Sequence, residues 1–163
     1  GHCISVDPYY LAYQSKKYNV DPKLILTSRI INNSMPRYIS ENISEKVKIK
    51  KPVGLIMGLT FKENCSDIRN SGSIKLIKEL IKKKHKIYVY DPKIDKFDLD
   101  KLRKKLNLKI LSLKQKFDYI VFSVEHDDFK KFKISKIKKL LKSNGIVFDL
   151  KNIYDYRYNF VSI

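Results

Sequence analysis

The sequence predicts an α/β fold, a parallel sheet with helices on both faces, preceded by a helical connector. Three observations predict it. Beyond residue 52, short apolar runs alternate with helical patterns, the order that builds a parallel sheet. Those runs are almost continuously apolar, as in strands buried on both faces. Before residue 48, apolar residues recur only at helical spacing.

Each element follows in order. Residues 1–20 open with a loop and then a short helix. Asp7-Pro8 supplies its N-cap and a proline at the first helical position. Asp21-Pro22 repeats that start signal. A long helical pattern follows through Leu24, Ile25, Ile31, Met35, Tyr38, Ile39 and Ile43. Pro36 is expected to kink or break it. The pattern is long enough to reach outside one core, so it reads as a connector between domains or a dimer seam. Residues 48–52 form a basic, polar hinge. Residues 53–59 read as a buried strand. Residues 73–84 read as an amphipathic helix with Ile74, Ile77, Leu80 and Ile81 on one face. Residues 86–90 make a strand ending in Asp91-Pro92. Residues 99–106 are helical and 109–111 a short strand. Residues 119–124 are a buried strand, 134–142 a helix and 146–149 the last strand. The chain divides at the hinge into residues 1–50 and 51–163. In such sheets ligands bind beyond the carboxyl ends of the strands. That places residues 60–69, Asp91-Pro92, residues 125–127 and Lys151-Asn152 along the candidate ligand edge.

Composition narrows the function. Hydrophobic residues make up 43% of the 163, enough for a packed core and too many for a disordered chain. No window approaches the roughly 18–20 continuous apolar residues of a membrane span, so no membrane partner is expected. Two cysteines, Cys3 and Cys65, make no disulfide framework and no zinc ligand set, so no metal is expected. A reducing cytoplasm fits them. The net charge of +18 points to an anionic partner. Of the 35 basic residues, 30 are lysine, and they are spread along the chain. Arginine, the residue suited to bidentate phosphate and base contacts, is scarce. A small anionic ligand such as a nucleotide is equally compatible with this charge, and no nucleic-acid partner is expected.

Two constellations carry chemistry. The first is the run GHCISVDPYYL at residues 1–11. A cysteine in a turn just before a helix N-terminus sits where the helix dipole favours its ionised form. A carboxylate four residues on can hold a water or a substrate hydroxyl. Such a thiolate can attack an aldehyde to give a thiohemiacetal able to surrender a hydride. An inert cysteine near a chain end is the alternative. The second is GLTFKENCSDIRNS at residues 58–71, between a buried strand and a helix. That is the place of a nucleotide-binding loop, although GxGxxG and GxxxxGK[ST] are both absent. Lys62 and Arg69 offer cations, and Phe61 could stack on a ring. The alternative is a polar loop in which Asp67 pairs with Arg69 and Ser71 or Ser73 caps the next helix.

The first run resembles the GGHCxxVDPYYL signature of the UDP-glucose/GDP-mannose dehydrogenase superfamily, and the second its (A/T)FKxxxxDxRxS signature. Within that superfamily the chain is similar to the branch acting on UDP-N-acetylhexosamines. The two signatures stand in the right order, about fifty residues apart. SRIINNSMPRYI resembles the interdomain helix, YVYDP the strand after the second signature, and IVFDLKN the last strand. Val6 stands where the UDP-glucose enzymes carry a lysine, which favours the hexosamine branch.

The resemblance implies a Rossmann-like, UDP-sugar-binding C-terminal domain at residues 51–163. It implies the catalytic-cysteine loop and central helical segment at residues 1–50. Cys3 is then the nucleophile and Asp7 its assisting carboxylate. Cys3, Ile4, Ser5 and Val6 line the nicotinamide end of NAD, and Arg69 reaches NAD from the C-terminal domain. Phe61, Lys62 and Lys151 contact the UDP-sugar, and Cys65 is structural. The reaction implied is oxidation of the C6 hydroxyl to a carboxylate with two NAD reduced, for surface polysaccharide precursors. The partners implied are the UDP-sugar, an N-terminal NAD-binding half from the same or a split gene, and a second copy in a homodimer. On its own the chain is expected to be inactive. Two other readings are a UDP-sugar-binding module without catalysis and a basic nucleic-acid-binding α/β domain.

Overall fold

The structure is a computed structural model in which residues 2–154 and 160–162 are described. A short 3-10 turn, His2–Ser5, leads into helix α1, Asp7–Lys17, and then helix α2, Lys23–Val47. The alternating part follows as β1 (Val53–Met57), α3 (Gly72–Lys82), β2 (Lys86–Tyr90), α4 (Lys96–Leu106) and β3 (Lys109–Ile110). It ends with β4 (Phe117–Phe122), α5 (Asp127–Lys130), α6 (Ile134–Leu140) and β5 (Leu141–Asp149).

All strand pairings are parallel, in the order β3-β2-β1-β4-β5. The sheet therefore grows outward from β1 in two directions, and the order reverses between β1 and β4. Alternate side chains of each strand enter two separate cores. On one face Ile56, Ile87, Val89, Tyr119, Val121 and Phe148 pack with Ile77 and Leu80 of α3 and Ile43 and Val47 of α2. On the other, Leu55, Met57, Ile120, Phe122 and Val147 pack with Phe129 of α5 and Ile137 of α6. Burial on both faces is why these strands read as continuous apolar runs.

Several boundaries differ from the sequence reading. Of the kink or break expected at Pro36, the break does not occur: α2 continues through it. A proline removes one N–H bond, and here the last two turns of α2 are held by the core through Ile43 and Val47. The N-caps of α1 and α2 are Val6 and Pro22, each one residue off the expected aspartate and without a side-chain bond. Helix α6 stops at Leu140, because Leu141 pairs with Phe117 and opens β5. Strand β5 is thus longer than its predicted 146–149, with an irregular register between Phe117 and Tyr119. Helix α4 starts early, since the Asp95 carboxylate accepts from the N–H groups of Phe97 and Asp98.

A buried polar chain ties α2 to the sheet. Tyr119 Oη lies 2.9 Å from His85 Nδ1, and His85 Nε2 lies 3.2 Å from Ser44 Oγ. Ser44 Oγ donates to the Ser40 carbonyl, so it accepts from the ring. The chain of donors then runs Tyr119 to His85 to Ser44 to Ser40, with a neutral imidazole protonated on Nε2. Burial, and then the Lys83 charge, push His85 down to about 4.

Candidate functional site

The order reversal between β1 and β4 opens a crevice beyond their carboxyl ends, where ligands of such sheets sit. Gly58 turns the chain out of β1 with a φ of +93°, and a Cβ there would come within 2.6 Å of Val124. The residue at this turn must therefore be glycine. Ser123, just past β4, donates from Oγ to the Gly58 carbonyl at 2.7 Å and fixes the two strand ends together.

The loop of residues 58–71 is held by a buried network. Asp91, at the end of β2, accepts from the N–H groups of Leu59 and Thr60 at 2.6 and 3.2 Å through Oδ2. Its Oδ1 accepts from Lys93 N and Ile94 N. His126, fully buried after β4, lies 3.2 Å from Asp91 Oδ2 and 3.2 Å from Thr60 Oγ1 through Nε2. Its Nδ1 accepts the Asn64 N–H at 2.9 Å, so the ring proton sits on Nε2 and faces the carboxylate. Asn64 and Asp127 close the other side with two reciprocal bonds. Ser71 Oγ donates to the Leu59 carbonyl and caps Ile74 N. His126, Thr60 and Ser123 escaped the sequence reading as individual residues. The only signal for them was their position at strand ends.

Within this frame lies a cleft of about 430 Å³ that brings together Phe61, Lys62 and Lys151, with an apolar wall of Met35, Ile39 and Leu76. Asp149, buried at the end of β5, accepts from Lys151 N and Tyr154 N and so fixes the turn that presents Lys151. Neither lysine meets a carboxylate among the described residues. Glu125 also lines the cleft, but its carboxylate is engaged by Lys130 at 2.8 Å; Glu63 completes the rim. A larger concavity of about 930 Å³ lies beside the amino end of β5, away from these strand ends.

The other predicted residues lie elsewhere. Cys3 is exposed in the 3-10 turn, where its carbonyl accepts from Val6 N at 2.8 Å. Ile4 and Asp7 line a groove against α2 with Arg29 and Asn32, and Asn32 also borders the Lys62 cleft. The two concavities therefore meet at Asn32. Arg69 is separate from Lys62. Its guanidinium donates to Asp67 at 2.6 to 3.1 Å, and these hydrogen bonds, then the Asp67 charge, raise its pKa. It borders a third groove with Lys101 and Lys105 of α4. The local Asp67–Arg69 pair and the Ser71 cap are both present, so the loop is a well-built polar turn whatever it binds. Cys65 Sγ lies 3.4 Å from the Lys62 carbonyl. Among the described residues no group of His, Cys, Asp and Glu is placed to hold a metal, and no helix is long and apolar enough to cross a membrane.

The sheet order, the switch-point cleft and its two uncommitted cations define a mononucleotide-binding α/β domain. Residues 55–156 match the model of the UDP-glucose/GDP-mannose dehydrogenase family, UDP binding domain. The chain belongs to that family and corresponds to the C-terminal part of its UDP-N-acetylhexosamine 6-dehydrogenase branch. It is 37% identical to UDP-N-acetyl-D-glucosamine 6-dehydrogenase of Salmonella typhi over 94% of its length and 37% of that relative. It is 36% identical to UDP-N-acetyl-D-mannosamine dehydrogenase of Methanocaldococcus jannaschii, over 94% of the chain and 34% of the relative. Among solved structures, UDP-D-ManNAc dehydrogenase from Pyrococcus horikoshii superposes with a TM-score of 0.72 at 28% identity, over 95% of this chain and 35% of that one. The chain thus spans little more than a third of the relatives it matches.

Proposed function

We propose that this chain is the substrate-binding and thiol-bearing part of an NAD-dependent nucleotide-sugar 6-dehydrogenase. It oxidises a UDP-N-acetylhexosamine to the uronic acid, a precursor of surface polysaccharide, in the cytoplasm. Residues 1–50 supply the cysteine loop and the helical segment, and residues 51–163 bind the UDP-sugar. The switch-point cleft carries this reading: it gathers Phe61 with two cations, Lys62 and Lys151, that no carboxylate neutralises among the described residues. An N-terminal NAD-binding half is the required partner, from the same or a split gene. A homodimer would form through the central helical region, to which α2 belongs.

Toward NAD, the groove around Arg69 offers Lys101 and Lys105 as cations for an anionic pyrophosphate, beside the carboxylates of Asp67 and Asp98. Arg69 would hold NAD from this side, and Cys3, Ile4, Ser5 and Val6 would line its nicotinamide end. When bound, NAD supplies the acceptor for the two hydrides that leave C6. Cys3 Sγ adds to the C6 aldehyde carbon, and the carbonyl oxygen takes a proton, giving a thiohemiacetal. Loss of hydride and the hydroxyl proton converts this to a thioester on the same sulfur. Asp7 orients the water that attacks the thioester carbon, and the C–S bond breaks to release carboxylate and restore the thiol. The exposure of Cys3 in this structure leaves its sulfur accessible to such a substrate.

Calorimetric titration with UDP and UDP-N-acetylglucosamine tests the binding half of the proposal. Lys62→Ala is expected to weaken both about ten- to a hundredfold, the loss of one charge-assisted contact. Unchanged affinity would remove the nucleotide from the cleft. The chain alone is expected to give no NADH, and steady NADH production from it would overturn the need for a second half.

A further inference from the structure

The turn that carries Phe61 and Lys62 is fastened at both ends to one buried side chain. Asn64 N–H donates to His126 Nδ1 at 2.9 Å, and Thr60 Oγ1 lies 3.2 Å from His126 Nε2. Because Nδ1 accepts, the ring carries its proton on Nε2. A hydroxyl has one proton, and that of Thr60 goes to the Lys62 carbonyl at 3.0 Å. Thr60 Oγ1 therefore accepts from the ring, which shares its Nε2 proton between Thr60 and Asp91 Oδ2. The donors run from Asn64 to His126, from His126 to Thr60 and from Thr60 to Lys62. The chain of bonds leaves the turn at residue 64 and returns to it at residue 62.

This closed path acts on a residue that no regular element holds. Residues 60–64 lie between β1 and α3, outside every helix and strand. The anchor is firm by contrast. His126 is fully buried, Thr60 is 1% exposed, and the imidazole packs edge-on against Phe129 at 5.3 Å between ring centres. The other hold on the Lys62 carbonyl is a thiol, Cys65 Sγ at 3.4 Å, a weak donor. A lysine is a flexible point charge, so its reach into the cleft depends on where its backbone is fixed. Holding that backbone in advance lowers the ordering cost of binding.

We propose that Thr60 is a positioning residue for nucleotide binding: its hydroxyl, oriented by His126, fixes the backbone from which Lys62 reaches the ligand. This rests on the nucleotide-sugar reading of the cleft and adds the group that acts there through Lys62. The Thr60 hydroxyl is committed on both sides, to His126 and to the Lys62 carbonyl, so its effect on a ligand passes through Lys62.

The test is a double-mutant cycle on the 163-residue chain, read by calorimetric titration with UDP. Thr60→Val keeps the branched shape and removes the hydroxyl, while the His126 proton keeps Asp91 as its acceptor. It is expected to weaken UDP about fivefold, the worth of one neutral hydrogen bond. Thr60→Ser, which retains the hydroxyl, should bind within about twofold of the wild type. In a Lys62→Ala background Thr60→Val should change affinity by less than about twofold. Where Thr60→Val is too unstable to titrate, Thr60→Ala takes its place with the same expectations. Nitrogen resonances of the imidazole should show the proton on Nε2, and a proton on Nδ1 would break the chain of bonds and overturn the proposal. An equal loss in both backgrounds would mean that Thr60 acts apart from Lys62, and a loss in Thr60→Ser as large as in Thr60→Val would make the effect one of packing. Either overturns the proposal. Thr60→Val with full affinity, beside a weakened Lys62→Ala, overturns it and leaves the cleft reading standing. Failure of the wild type to bind UDP sinks both.

Discussion

The carboxyl edge of the sheet and the helical hairpin α1–α2 satisfy themselves to very different degrees. At the edge, Asp91 accepts five hydrogen bonds from Leu59, Thr60, Lys93, Ile94 and His126. The surrounding Thr60, Ser71 and His126 are all buried. In the hairpin, apolar residues before the last turns of α2 face outward: Tyr10 is 70% exposed, Leu24 83% and Ile30 68%. Ala12 is the buried residue of α1. The edge is a finished structure holding an open cleft. The hairpin leaves many large apolar side chains in solvent, the residue type that lines contacts with other bodies. One chain therefore holds a site whose scaffold is self-sufficient and a segment whose surface is not.

The largest effect should come from breaking the edge. Asp91→Ala leaves five donors without their acceptor, three of them around buried groups. Removal of a buried charged partner of this kind costs about 3–5 kcal/mol. Urea unfolding should show that loss, and Asp91→Asn, which keeps one acceptor oxygen, should show roughly half of it. A loss below about 1 kcal/mol in Asp91→Ala would mean that the loop is held by something other than this network.

A smaller effect separates the two regions by pH. The His85 bridge is the polar joint between α2 and the sheet. Its ring is held near 4 in the folded protein against about 6.5 when unfolded. At pH 7 both states are neutral at this site. As pH falls below 6.5 the unfolded chain takes up a proton that the folded chain refuses, so stability declines until about pH 4 and levels below it. Because the ring keeps some contact with water, the loss should be about 1–2 kcal/mol, not the full value of the shift. Carboxylates such as Asp128, lowered by the hydrogen bond from Lys93, titrate below this range. The difference between wild type and His85→Gln isolates the histidine. Parallel pH profiles for the two proteins would show that the bridge carries no linkage.

How legible each region was in the sequence follows from which interactions are local. The strands of residues 53–57, 86–90 and 117–122 could be read because burial on both faces forces continuous apolar runs. The second signature could be read because Lys62, Asp67 and Arg69 sit close together in one loop. Only the resemblance assigned Lys62 and Arg69 to different ligands; the residue types alone did not separate Lys62, which lines the β1–β4 cleft, from Arg69, which borders a groove against α4. His126 was hidden because its partners, Asp91 and Thr60, are brought to it only by parallel pairing across the sheet. At Pro36 a local rule predicts a kink or break, and the break does not occur, because tertiary packing of the helix end keeps α2 continuous. The exposed hairpin residues were legible only as helical periodicity. Periodicity shows that a face is apolar, not which body covers it.

The smallest effect is the one that sharpens the contrast most. Leu24→Ser and Ile30→Ser alter side chains that are 83% and 68% exposed, so in this chain they should change stability by no more than about 0.5 kcal/mol. If the hairpin is a contact surface, the same pair should lower self-association, measured by sedimentation, while leaving UDP affinity untouched. A drop in stability well above that bound would mean that these residues are packed in the free chain. Unchanged sedimentation with unchanged stability would remove the second copy as their partner and leave the N-terminal half as the body that covers them.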